Sequence, residues 1–389
     1  MRLAVYCDFP YRRYQGRVYA GQAFVVFLLS LSEFVEHLIL IGRIDPEDAP
    51  WHFPLSDRAS YQPLPHYEQM SEPLSVISAL GRSVRRFWRV LDEVDTVWLF
   101  GPNPLAILFA LLAMARGREV VLGVRQDYLA YVRNRHPGRW HLQFVALLLN
   151  GVFRLLARRC AVVAVGPTVA GQYGAARRLL ATSVVLVSER DLLRDGEPPA
   201  SSPGQELVVL SVGRLDDEKN PLLLADVLAL LDQDGRPWRM VVCGEGPLEG
   251  PLRDRLRMCG VEDHVELRGF VPAGPALHAL YRSSDFLLHV SLTEGVPQVL
   301  FEAFAAGLPV VATDVGSVAA VAGDAALLVP ASDPQSAAAA LRRLAEDPAL
   351  RLGMVEAGLH IARAHTREAQ SRQVVDFIES DSEPTHVPR

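Results

Sequence analysis

The chain has 389 residues, half of them hydrophobic and 22% charged, enough for two sizeable cores, since a single core rarely grows past roughly 250 residues. Its 39 basic and 45 acidic side chains give a formal net charge of −6, which excludes a nucleic-acid binder held by a global positive field. The charge is unevenly shared: residues 1–200 hold 23 basic and 18 acidic side chains (+5), leaving 16 and 27 (−11) for residues 201–389, so the first half is the part suited to an anionic partner.

The chain opens on Met1-Arg2-Leu3-Ala4-Val5-Tyr6-Cys7-Asp8, an apolar run too short and too soon broken for a signal peptide. Strands are expected at Leu3–Cys7, Leu38–Ile41, Thr96–Phe100, Val120–Val124, Ala161–Val165 and Val184–Val187, with helices over Gln22–Ser32, Pro73–Leu91, Pro104–Ala115 and Gly138–Arg159. Short Val/Ile/Leu runs alternating with helical periods are the pattern of βαβ units on a parallel sheet. Gly21, in Tyr19-Ala20-Gly21-Gln22 just beyond the first strand, is a candidate small-residue contact to a ligand, with a plain helix start as the equal alternative. Arg82, Arg85, Arg86 and Arg89 fall at helical spacing, a solvated face by default and a contact to an anionic membrane as the sharper reading. No apolar stretch is read as long enough to span a membrane: Pro104–Ala115 and 144–149 are too short or interrupted. The four cysteines, at 7, 160, 243 and 259, form no C-x-x-C pair and are expected as reduced thiols. A cytoplasmic protein is expected, with the basic first half as a candidate peripheral contact at the inner face of a membrane.

Both periods are lost over residues 191–205, which are expected as a linker between an acceptor-side domain (1–190) and a second domain (206–365). A helix and loose tail (366–389) should cross back to the first. The second half restarts the pattern, with strands near Leu207–Val212, Arg239–Cys243, Val265–Leu267, Asp285–His289, Pro309–Ala312 and Ala326–Val329. The fold class is therefore α/β, two doubly wound, Rossmann-like domains facing across a cleft. Ligands of such sheets bind outside the carboxyl ends of the strands, which directs attention to the loops after Val212, Cys243 and His289.

Three motifs occupy those loops. In Glu294-Gly295-Val296-Pro297-Gln-Val-Leu-Phe-Glu302, Pro297 suits a first helical position. That helix start, with its free amides and positive dipole end, is an anion site able to hold a diphosphate. Glu294 could accept from sugar hydroxyls and Glu302 from a ribose diol; the apolar setting, Val299-Leu300-Phe301 and Ala303-Phe304-Ala305, argues against two merely solvated glutamates. In Gly213-Arg214-Leu-Asp-Asp-Glu-Lys219, Arg offers a planar fork and Lys a point charge for phosphate oxygens. The alternative is an ordinary loop in which Asp216, Asp217 and Glu218 neutralise the cations. Lys219 is the sole lysine among the 39 basic residues, which marks a position where a guanidinium does not serve. Gly244-Glu245-Gly246-Pro247 lacks dinucleotide spacing, so Gly244 and Gly246 are candidates only for close backbone approach to a nucleotide. Asp232-Gln-Asp234 has the form of a metal site but falls between a helix and the next strand, and no metal site is expected.

Taken together, Gly213-Arg214…Lys219, Gly244-Glu-Gly-Pro247, Leu267-Arg-Gly269-Phe-Val and Glu294-Gly-Val-Pro…Glu302…Gly307-Leu-Pro-Val-Val-Ala-Thr resemble the retaining GT-B glycosyltransferases of glycosyltransferase family 4. The resemblance implies a UDP- or GDP-sugar donor, a glycan, lipid-linked or small-molecule acceptor, retention of anomeric configuration, and no cofactor or obligatory metal. It assigns Arg214 and Lys219 to the diphosphate, Glu294 to the sugar and Glu302 to the ribose. The first half departs from the family, with Gln126 where a His is usual and Ser188-Glu-Arg-Asp191 in place of Asn-Gly-x-Asp. Asp127, a carboxylate beside that position, is then the candidate group on the acceptor side. The competing readings are another GT-B reaction, such as a sugar-nucleotide epimerase or phosphorylase, and a non-catalytic nucleotide-binding scaffold.

Overall fold

The computed structural model describes residues 1–66, 73–135, 138–194, 206–233 and 235–380. They form two compact units, one built from residues 1–184 with 368–380, the other from 185–367.

The first unit carries a nine-stranded sheet: β1 (Arg2–Tyr14), β2 (Arg17–Ala20), β3 (His37–Asp45), β4 (Phe53–Pro54), β5 (Ala59–Leu64), β6 (Thr96–Gly101), β7 (Glu119–Val124), β8 (Ala161–Val165) and β9 (Arg178–Thr182). Its main body is parallel, β5-β3-β1-β6-β7-β8-β9, and the far end of β1 folds back antiparallel on β2. Strands such as β6 and β8 are nearly continuous apolar runs because helices cover both of their faces. Those helices are α1 (Phe24–Ser30), α2 (Pro73–Val90), α3 (Pro104–Ala115), α4 (Tyr128–Arg135), α5 (Trp140–Ala157) and α6 (Pro167–Gly171). Phe87 of α2 stacks on Phe109 of α3 at 4.0 Å between ring centres in the middle of the core.

Three expectations change. The expected strand Val184–Val187 is β9, six residues earlier at Arg178–Thr182. Val185 and Val187 instead enter the core of the second unit with Phe301 and Phe304, because apolar content alone does not say which core a segment joins. The long helix expected from Gly138 begins at Trp140, after a separate helix α4 that the arginine-rich segment gave no periodicity to reveal. And α5, at 18 residues, is long and apolar enough to cross a membrane by length and composition, contrary to the reading that no stretch is.

The second unit carries six parallel strands: β10 (Leu207–Val212), β11 (Trp238–Cys243), β12 (Val265–Leu267), β13 (Phe286–His289), β14 (Val310–Thr313) and β15 (Ala326–Val329). Their order is β12-β11-β10-β13-β14-β15, so the chain reverses direction across the sheet between β10 and β13. Around them lie α7 (Leu222–Asp232), α8 (Glu249–Cys259), α9 (Pro275–Arg282), α10 (Gln298–Ala306), α11 (Val318–Ala322), α12 (Pro334–Glu346) and α13 (Pro348–Ala364). The Ala-rich run Ser336–Leu341 lies in α12 with Ala337, Ala338 and Leu341 buried, as a strong helix former should. The last helix, α14 (Arg367–Glu379), packs within the first unit. There Thr182 donates to Gln370 Oε1 at 2.6 Å and the hydroxyls of Ser30 and Ser371 meet at 2.6 Å. The division at residues 184 and 185 precedes the expected linker, of which 195–205 lies outside the described residues, as does the expected loose tail over 381–389. All four cysteines are free.

Candidate active site

The reversal between β10 and β13 opens a crevice at the carboxyl ends of those two adjacent strands, the place where doubly wound sheets bind ligands. Lys219 arrives from the β10 side. After Val212 the chain runs through Gly213 into a short 3₁₀ turn, Asp217–Lys219, closed by Asp216 accepting from the Lys219 amide at 3.2 Å. Glu294 arrives from the β13 side. The Leu292 amide donates to the Glu218 carbonyl at 2.8 Å, and Thr313 at the end of β14 donates to the Ser291 carbonyl at 2.6 Å. These bonds tie the two loops to each other and to the sheet.

The result is that the Lys219 ammonium pairs with Glu294 Oε1. His289, the last residue of β13 and buried, places Nε2 2.9 Å from the same oxygen. The Glu294 side chain is only 8% exposed. Burial by itself would raise its pKa; the close approach of His289 and the Lys219 charge outweigh it and hold the carboxyl down at about 2. The group is a fixed anion next to a cation, in front of α10.

That helix starts one residue later than expected. Pro297 is extended and precedes it, Gln298 is its first residue, and no side chain caps its leading amides. Gln298 Oε1 instead accepts from the Leu186 amide at 3.2 Å, which holds the start of α10 against segment 185–188. Gly295 is exposed, Val296 half-buried and Pro297 buried. Behind the loop, Gly316 has φ +58° and sits so close that a Cβ there would lie 1.9 Å from the Glu294 carbonyl oxygen. Nothing in the spacing of the sequence singles out Gly316. His289 had a signal, an isolated His at the end of an apolar strand five residues before Glu294.

Glu302 lies about a turn into α10 and lines a cavity of about 50 Å³ with Tyr281, His278, Asp191 and Gly274. The Tyr281 hydroxyl donates to Glu302 Oε2 at 2.6 Å. Burial raises the Glu302 pKa above 4.5; the Tyr281 bond opposes this and the nearby Asp191 charge adds to it. Asp191 comes from Ser188-Glu-Arg-Asp191, where its carboxylate accepts from the Ser188 amide at 2.9 Å in a capping box.

The remaining candidates are placed differently. Arg214 is exposed and paired with Asp216 at 2.5 Å and Glu218 at 3.1 Å, the loop neutralisation weighed as the alternative, while Lys219 escapes it. With Gly213, both cations line a narrow recess of about 20 Å³ that also includes His289. Gly244 and Gly246 are required by protein packing. A Cβ on Gly244 would lie 1.7 Å from the Gly213 carbonyl oxygen, and one on Gly246 would lie 2.3 Å from that of Leu215. The motif loops are thereby zipped together, with Leu215 N donating to Glu245 O and Gly244 N to Gly269 O.

In the first unit Gly21 is held against Trp51, whose ring a Cβ would meet at 2.4 Å. Asp127 has both oxygens engaged: Oδ1 accepts from Ala130 N at 3.0 Å at the start of α4, and Oδ2 from Gln172 at 2.8 Å. Among the described residues no group of three or more His, Cys, Asp or Glu is placed to hold a metal ion. Asp234 of the Asp232-Gln-Asp234 motif lies outside them, and Asp232 pairs with His264 at 3.0 Å.

Residues 197–360 match the family model described as Glycosyl transferases group 1. The chain is 29% identical over 200 residues to the putative colanic acid biosynthesis glycosyltransferase WcaL of Salmonella typhimurium, covering 49% of each chain. It is 36% identical over 176 residues to the D-inositol 3-phosphate glycosyltransferase of Corynebacterium glutamicum, covering 43% of this chain and 42% of that one. The chain thus spans about half the length of the curated relatives it matches. Over the whole fold it resembles WaaG, a glycosyltransferase involved in lipopolysaccharide biosynthesis, with a TM-score of 0.66 and 17% identity over 97% of this chain and 99% of that one. It also resembles HepE of Anabaena, solved in complex with UDP, with a TM-score of 0.69 and 16% identity over 96% and 98%. The fold is GT-B, two Rossmann-like α/β units.

Proposed function

We propose that this chain, whose second unit is a glycosyl transferases group 1 domain within a GT-B fold, moves a sugar from a nucleoside diphosphate to an acceptor with retention of configuration. The observation that carries the reading is the pair Lys219 and Glu294, with His289 behind them, at the carboxyl ends of β10 and β13 and before the uncapped start of α10. A cation and free helix amides suit a diphosphate, and a buried, ionised carboxylate beside them suits the hydroxyls of the sugar it carries.

In the reaction the bond between the anomeric carbon and the β-phosphate oxygen breaks as the acceptor oxygen bonds to that carbon from the same face. The acceptor proton passes to the departing phosphate oxygen. Charge that develops on the diphosphate is stabilised by Lys219, by Arg214 once it turns from Asp216 and Glu218, and by the amides of α10. Glu294 and the loop Gly295-Val296-Pro297 orient the sugar, and Glu302, with Tyr281 beside it, accepts from the ribose. These groups supply the positive charge themselves, so transfer should persist in a chelator. The UDP complex of HepE supports a uridine nucleotide over a guanosine one. The acceptor is a glycan, a lipid-linked glycan or a small molecule, as the names of the relatives support.

Incubation with a panel of UDP- and GDP-sugars and candidate acceptors tests the reading. Acceptor-dependent release of the nucleoside diphosphate, with the product's anomeric configuration kept, is the expected result. Absence of donor binding by any of them would overturn it, and an inverted product would overturn retention. Conversion of the donor without an acceptor would favour an epimerase.

A further inference from the structure

Helix α5 presents an apolar surface that the first unit does not cover. Only Ala146, Asn150, Phe153 and Ala157 are buried in it, a stripe at intervals of four, three and four residues. Outside that stripe Leu142, Gln143, Leu149 and Leu156 are half-buried, and the remaining positions are open to solvent, most of them apolar. Trp140 is 75% exposed and Leu155 61%, and Phe144, Val145, Leu147, Leu148 and Val152 are exposed as well. A contiguous face of this kind on a monomer marks an interaction surface.

Charge says which partner. From residue 128 to residue 188 the sequence holds no Asp or Glu and eight arginines. Arg139 precedes α5, and Arg154, Arg158 and Arg159 stand exposed at its end. None of these four pairs with a carboxylate among the described residues. Beside the last turn a groove of about 440 Å³ is lined by Arg154, Arg158, Leu155, Gln172 and Tyr173. Two unneutralised guanidinium groups next to a leucine fit a phosphate attached to an acyl chain.

Although α5 has the length and composition of a membrane span, it cannot leave the fold to cross one. Phe153 is fully buried in the core of the first unit, and Asn150 accepts from the Tyr173 hydroxyl at 3.3 Å. The remaining solution for an apolar helix flanked by arginines is to lie in the plane of the interface. We propose that α5 is a membrane-docking helix. It seats Trp140, Phe144, Leu148 and Leu155 among the acyl chains of an anionic bilayer and sets Arg154 and Arg158 on lipid phosphates. This is a different face from the arginine row of α2, where Arg86 is held by the Pro63 carbonyl at 2.6 Å.

The test is flotation of the purified full chain with vesicles of phosphatidylcholine alone or with about a third phosphatidylglycerol. The chain should float with the anionic vesicles and not the neutral ones, less so as salt rises. Arg154→Glu with Arg158→Glu should lower the bound fraction about ten-fold or more, since each basic side chain near the surface is worth several-fold in partition. Leu148→Ser with Leu155→Ser should do likewise at any salt. All four residues are exposed, so melting temperatures should stay close to wild type, and donor binding, measured without vesicles, should be unchanged. Trp140 fluorescence should be quenched by brominated acyl chains, and Trp140→Phe should abolish that quenching. Failure to float with anionic vesicles would overturn the proposal. So would a dimer in sedimentation velocity that Leu148→Ser and Leu155→Ser dissociate while vesicle binding is absent, since the face would then belong to a second copy of the chain.

Discussion

Lys219 and Glu294, 75 residues apart in sequence, form an ion pair at the carboxyl ends of neighbouring strands, and Glu294 is held ionised by it and by His289. A lysine that a ligand would have to share with a buried glutamate is both a structural and a chemical element. Lys219→Ala should leave Glu294 with a weaker partner and cost roughly 1–3 kcal/mol of stability, the penalty for stranding a largely buried charge. It should also abolish transfer. Thermal denaturation and a transfer assay separate the two effects. Lys219→Arg keeps the charge, and full activity in that variant would show that a point charge is not required.

Because Lys219 is the only lysine, amine-directed acylation followed by peptide mass spectrometry reports on it directly. Bound nucleoside diphosphate should slow acylation at Lys219 and leave the N-terminal amine as reactive as before. Equal rates at Lys219 with and without nucleotide would remove it from the phosphate site.

The acid side of the stability profile should carry the mark of Glu294. Its pKa is depressed to about 2 from an ordinary value of 4.5. The stability it contributes is therefore fully present above pH 4.5 and lost as pH falls toward 2. Glu294→Gln should flatten that part of the curve in pH-dependent denaturation, while leaving the profile near neutrality parallel to wild type.

Glu302 should behave oppositely. Its pKa is raised by burial and by Asp191, so its ionised form costs stability as pH rises through that raised value. A ribose diol needs the ionised carboxylate as acceptor. Nucleotide affinity should therefore fall as pH drops through the raised pKa, and binding there should release protons. Titration calorimetry in buffers of different ionisation enthalpy measures this. Glu302→Gln should remove the pH dependence and weaken affinity by about ten-fold, the loss of one charge-assisted hydrogen bond.

Asp127 is held as the cap of α4, with its second oxygen on Gln172. Asp127→Ala should cost about 1 kcal/mol of stability, as lost caps do. Asp127→Asn can keep the bond from Ala130 and should transfer sugar at near wild-type rate. A rate loss in Asp127→Asn with unchanged melting would instead give Asp127 a part on the acceptor side.

Gly316 supports Glu294 from behind. Gly316→Ala combines a positive φ with a Cβ 1.9 Å from the Glu294 carbonyl oxygen. It should destabilise by roughly 2 kcal/mol or more and lower donor affinity along with it.

The alternation of apolar runs and helical periods was enough to specify two parallel-sheet units, because a strand covered on both faces has to be apolar along its whole length. The Rossmann-like strands of the second half fall within a residue or two of where the runs place them. The loops that bring Lys219 and Glu294 together were legible too, since doubly wound sheets present such loops at the carboxyl ends of their strands. What the sequence could not decide was assignment between neighbours. Val185 and Val187 are apolar in either unit, and only packing against Phe301 and Phe304 puts them in the second. The sequence offers Arg214 and Lys219 to the same phosphate oxygens, and only the turn at Asp216 gives the aspartate to one and leaves the other for Glu294. The glycines 244 and 246 read as positions of close backbone approach, and only the fold shows that the backbone of Gly213 and Leu215 lies against them. The exposed face of α5 was hidden for the same reason, since composition reports how apolar a helix is, and only the fold reports how much of it is left uncovered.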